Sequence, residues 1–93
     1  MSRLRAHMIV SGRVQGVGFR YTTQMKAKEI GVCGWVKNLP DDTVEIEGEG
    51  EVDKLYQFID AIKAGPSPSA QVEDVDLNIY EELKAYQSFD VVY

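Results

Sequence analysis

One cysteine, one histidine and three prolines are all that the 93 residues hold of those types, and each scarcity removes a class of chemistry. Cys33 has no partner for an internal disulfide, and an unpaired thiol fits a reducing, cytoplasmic setting. Between Val32 and Gly34 it reads as a small buried thiol, not a nucleophile. His7 has no acid–base partner in the local sequence and reads as a filler or exposed strand histidine; no metal-ligand spacing stands out, so neither a metal nor a cofactor is expected. No apolar run reaches membrane-spanning length, and MSRLRAHMIV lacks the apolar core of a secretory signal, so no membrane partner is expected. Basic residues are also in deficit, ten against fifteen acidic, and the net charge of −5 works against general nucleic-acid binding. Any anion site here has to be local.

What is present is an ordinary folding composition, 44% hydrophobic and 27% charged, in a length that supports one core. A single domain over residues 1–93 is expected, a monomer by default. Ala6 to Ser11 reads as a first strand stopped by Gly12. Phe19, Thr23, Ala27 and Ile30 fall at helical spacing, with Gly31 as the stop. Val32 to Lys37 reads as a second strand, NLPDD as a turn, and Thr43 to Glu49 as a third strand. In that third strand Val44 and Ile46 face the core, and Glu45, Glu47 and Glu49 form a solvated face. Val52, Leu55, Tyr56, Ile59 and Ile62 make the stripe of a second helix, ended by Gly65-Pro66. Val75, Leu77 and Ile79 alternate in a fourth strand, where the out-of-phase Val72 predicts a bulge. Phe89, Val91 and Tyr93 make a short terminal strand, and EELKAY a connection. The order β-α-β-β-α-β plus a terminal strand is that of an α+β, ferredoxin-like split βαβ sandwich, an antiparallel sheet with both helices on one face.

The stretch GRVQGVGFR, residues 12–20, sits between the first strand and the first helix. Its Gly12, Gly16 and Gly18 can take positive φ, so successive N–H groups can form an anion-binding nest ahead of a helix N-terminus. Arg20 then falls in the first helical turn, where a cation is disfavoured by the helix dipole unless an anion sits beside it. The spacing is neither that of a Walker A loop, which needs a lysine after its second glycine, nor G-x-G-x-x-G in a parallel βαβ unit. On pattern alone two readings stay open: a tight βα turn with Arg20 as a solvated charge, or a phosphate site. Asn38, by itself, is a turn-former at a strand end.

GRVQGVGFR followed by GWVKNLPDDTVEIEGEG resembles the acylphosphatase family, and the likeness covers nearly the whole chain. The resemblance implies a phosphate-binding loop in which Arg20 acts with backbone N–H groups of Gln15, Gly16, Val17, Gly18 and Phe19. It implies that Asn38 positions an attacking water, and that the substrate is a small acyl phosphate hydrolysed without a metal. One position departs from the family pattern: Asp42 stands where glycine is usual, so a slightly strained hairpin is expected. Arg13 has no assigned role. The alternative is a non-catalytic acyl-phosphate or carbamoyl-phosphate binding module. A ferredoxin-like RNA-binding module is disfavoured, because VGFRY falls in a loop and helix start and the charge has the wrong sign.

Overall fold

The computed structural model describes residues 2–93. Its elements are β1 Arg3–Arg13, α1 Phe19–Ile30, β2 Cys33–Asn38, β3 Val44–Glu51, α2 Val52–Ala64, β4 Gln71–Tyr80 and β5 Phe89–Val92. The sheet order is β4-β1-β3-β2-β5. Pairings among the first four strands are antiparallel, whereas β5 runs parallel to β2, so the sheet is mixed and not wholly antiparallel.

Register explains the two faces. Met8 lies opposite both Ile46 and Leu77, Val10 opposite both Val44 and Val75, and Val36 opposite Ile46. These positions join Leu55, Phe58, Ile59 and Ile62 of α2 and Phe19 and Ala27 of α1 in one core. Each large member contributes roughly 1.5–3 kcal/mol by leaving water. The α2 stripe is rotated from the sequence expectation, with Phe58 buried and Tyr56 exposed. Leu55, Phe58, Ile59 and Ile62 are the tighter 3-1-3 set, which leaves the Tyr56 hydroxyl in water. The Phe58 ring meets Phe89 edge-on at 5.6 Å, joining α2 to β5. The expected bulge is present: pairing of β1 with β4 shifts between Ser11 and Gly12, skipping Glu73.

The opposite face corrects the reading of the β3 carboxylates as solvated. Glu47 and Glu49 are buried, because residues 82–86 lie across them. Glu49 accepts the backbone N–H groups of Lys84 (2.8 Å) and Tyr86 (2.7 Å). Glu47 receives Arg5 Nη1 at 2.9 and 3.1 Å and the Tyr86 hydroxyl at 2.9 Å. The Trp35 indole N–H donates to that hydroxyl in turn, at 3.1 Å. Arg5 also donates to the Glu82 carbonyl and lies 4.4 Å from the Tyr80 ring centroid. Only Glu45 is half-exposed, and it meets His7 at 2.7 Å, a partner 38 residues away. Burial pushes the Tyr86 hydroxyl above its ordinary value of 10.0. Cys33 is partly exposed and not fully buried.

Candidate active site

The loop between β1 and α1 is shaped by its glycines. Gly16 and Gly18 have φ of +71° and +75°, with Val17 between them outside the positive-φ region. Such alternation turns consecutive N–H groups toward one point. A Cβ added at either glycine would meet nothing within 4 Å, so the backbone angle, not crowding, calls for glycine. Gly18 is also the N-cap of α1, which has no side-chain cap and no acidic residue in its first turn. A cap would normally occupy the free N–H groups and an acid would offset the dipole. Both are missing where the cavity lies, and the next residue but one is Arg20.

Gln15, Gly16, Gly18, Phe19, Arg20 and Asn38 line one open cavity of about 320 Å³. Val17 is not part of the lining; it packs against the core. The cavity also takes in Val14, Tyr21, Gln24, Val91 and Tyr93, which sequence reasoning left out. Arg20 is half-buried, and among the described residues no carboxylate lies within ion-pair distance of it. Its guanidinium instead lies 4.7 Å from the Tyr93 ring centroid, a cation–π contact that leaves its N–H groups free for an anion. Asn38 ends β2 with its amide oxygen buried and bonded to nothing among the described residues. A buried acceptor left without a donor costs about 1–3 kcal/mol, so the Asn38 amide oxygen can accept a hydrogen bond from a group outside the described residues.

The loop and the β2–β3 hairpin are tied by the Gln15 side chain. Its amide donates to the carbonyls of Leu39 (2.9 Å) and Thr43 (2.8 Å), on the two sides of the turn. The hairpin closes itself through Leu39 N–H to the Thr43 carbonyl (2.9 Å) and through Asp41, whose Oδ1 accepts the Thr43 hydroxyl (2.6 Å) and N–H (3.2 Å). Those bonds, the side-chain one first, hold the Asp41 carboxyl below its ordinary 3.8. Asp42 has φ +71°, the conformation that glycine takes most readily. Arg13 is exposed and outside the cavity lining.

A glycine nest, a free arginine and an asparagine from a separate hairpin thus converge, and their sequence context has a family. The acylphosphatase family model matches residues 6–91. This chain belongs to the acylphosphatase family. An acylphosphatase of Lactobacillus gasseri is 50% identical over 86 residues, covering 92% of this chain and 94% of that one. The crystal structure of acylphosphatase from Bacillus subtilis superposes with a TM-score of 0.93 at 44% identity, covering 97% of this chain and 99% of that one. Full-length HypF, in its phosphate- and nucleotide-bound form, matches with a TM-score of 0.85 and 32% identity over 97% of this chain but 12% of its own. The chain thus spans nearly the full length of the stand-alone acylphosphatases and a small part of HypF. Its ferredoxin-like α+β architecture is that of the family's solved structures.

Proposed function

We propose that this acylphosphatase-family enzyme hydrolyses the carboxyl–phosphate anhydride of small acyl phosphates without a metal. The observation that carries the reading is the convergence of an unpaired Arg20, an uncapped glycine nest and Asn38 on one cavity. In this mechanism the N–H groups of residues 15–19 and the Arg20 guanidinium hold the three terminal phosphate oxygens. Arg20 provides parallel donors that a lysine could not. The Asn38 amide orients a water in line with the bond to be broken. The water oxygen forms a bond to phosphorus, the phosphorus–oxygen bond to the acyl group breaks, and the carboxylate leaves with the electron pair. The water's proton passes to a phosphate oxygen. Because the leaving group is a stabilised carboxylate, positioning and charge stabilisation suffice, and no side-chain nucleophile or strong base is required.

The test is turnover of a synthetic acyl phosphate in EDTA, with Arg20→Gln and Asn38→Ala beside the parent. Turnover should persist in EDTA, and loss of the Arg20 contact should cost roughly 2–4 kcal/mol of transition-state stabilisation, as for an oxyanion donor. Abolition by EDTA would remove metal independence from the proposal. Phosphate binding without turnover in the parent would instead favour a binding module.

A further inference from the structure

We propose that Ser67 is a positioning residue for the phosphate loop: its hydroxyl holds the Val17–Gly18 peptide in the orientation that turns the Gly18 N–H into the cavity. The inference rests on the reading of that cavity as a phosphate site. Ser67 belongs to the α2–β4 connection, within Gly65-Pro66-Ser67-Pro68-Ser69, and is only 6% exposed. Its Oγ donates to the Val17 carbonyl at 2.7 Å, across 50 residues of sequence, and accepts the Ser69 N–H at 3.3 Å.

The effect follows from peptide geometry. No peptide among the described residues is cis, so the Val17 carbonyl and the Gly18 N–H point in opposite directions across one planar unit. Ser67 is not among the residues lining the cavity, whereas Gly18 is. A carbonyl held toward Ser67 therefore sends the Gly18 N–H the other way. The neighbouring Gly18 carbonyl is engaged as well, by the Thr22 N–H at 3.1 Å and the Thr22 hydroxyl at 2.8 Å. Without Ser67 the Val17 carbonyl has no donor among the described residues, and a flip of this peptide is cheap because Gly18 tolerates either sign of φ. The flipped form aims a carbonyl oxygen, not an N–H, at the anion. Pro66 and Pro68 on either side limit the backbone freedom of the Ser67 segment, so the donor is held in place before any ligand arrives.

The test is inorganic phosphate binding followed by NMR on the parent, Ser67→Ala, and Leu77→Ala as a control for general destabilisation in β4. If the flipped form occupies about nine-tenths of the Ser67→Ala population, the apparent Kd rises about tenfold. The Gly18 amide shift on adding phosphate should shrink at matched ligand concentration, and Leu77→Ala should do neither. Unchanged affinity and Gly18 shift in Ser67→Ala would overturn the inference while leaving the phosphate site standing. Equal weakening in Leu77→Ala would overturn it too. A parent that binds no phosphate would overturn the site reading and this inference with it.

Discussion

Replacing Arg5 by methionine tests the buried network on the sheet face away from α1 and α2. Arg5 and Glu47 are both more than nine-tenths buried and share two contacts, at 2.9 and 3.1 Å. Methionine keeps much of the stem's packing and deletes the charge. Among the described residues the Glu47 carboxylate then retains only the Tyr86 hydroxyl, at 2.9 Å, as a side-chain donor. Removing one partner of such a pair typically costs about 3–5 kcal/mol, most of it the penalty of the charge left behind. A domain of this size has roughly 5–14 kcal/mol in total, so Arg5→Met should remove about a fifth or more of its stability. Urea unfolding of Arg5→Met, Glu47→Leu and the double variant gives the cycle. The double variant should be no less stable than Arg5→Met, with a coupling of at least about 2 kcal/mol, because it no longer buries an unpaired charge. A loss below about 1 kcal/mol in Arg5→Met, the range of an exposed pair, would refute the reasoning. So would strict additivity.

Three further outcomes are expected. Gln15→Leu removes both bonds to the hairpin but leaves the hairpin's own closure, so stability should fall by about 1–2 kcal/mol; initial-rate kinetics should show kcat falling more than KM changes, because Arg20 is untouched and Asn38 is not held as before. Asp42→Gly relieves a left-handed aspartate and should raise the urea midpoint, a gain of up to about 1 kcal/mol. For Asp41, a carboxyl titration by NMR should give a midpoint below 3.8, moving back up in Thr43→Val. The sign is that of a depressed acid: what the Asp41–Thr43 bonds contribute to stability is complete above the unfolded value and is lost as pH falls through the lower folded one.

The elements were legible in the sequence because their signals are local. Val44 and Ile46 alternate, α2 carries a stripe, and Val72 breaks phase where the bulge lies. The misjudged carboxylates show the limit of such signals. Glu45, Glu47 and Glu49 look like a water-facing edge because alternation cannot reveal that residues 82–86 return across them. His7 looks unpartnered because Glu45, 38 residues away, reaches it only through the pairing of β1 with β3. In the candidate site, the glycines and Arg20 could be read from a short motif, and the resemblance drew in Asn38. The Gln15 side chain and Ser67 were not legible, since one polar side chain reaching a backbone carbonyl 24 or 50 residues away leaves no periodic trace.

The strand order has a consequence for how the protein is made. β1 leaves the ribosome before either strand that it pairs with, yet it lies inside the sheet between β3 and β4, whose residues begin at 44 and 71. The glycine loop that follows β1 gains its Asn38 hairpin, its Ser67 contact and its Tyr93 neighbour only as residues up to 44, 67 and 93 are translated. Closing such long loops is entropically costly before any pairing compensates, so these contacts are expected late in folding. A chain cut short before Ser67 would hold the complete glycine motif without the contacts that shape its cavity; if the proposed phosphate site is correct, the onset of phosphate binding would report the completion of these late contacts.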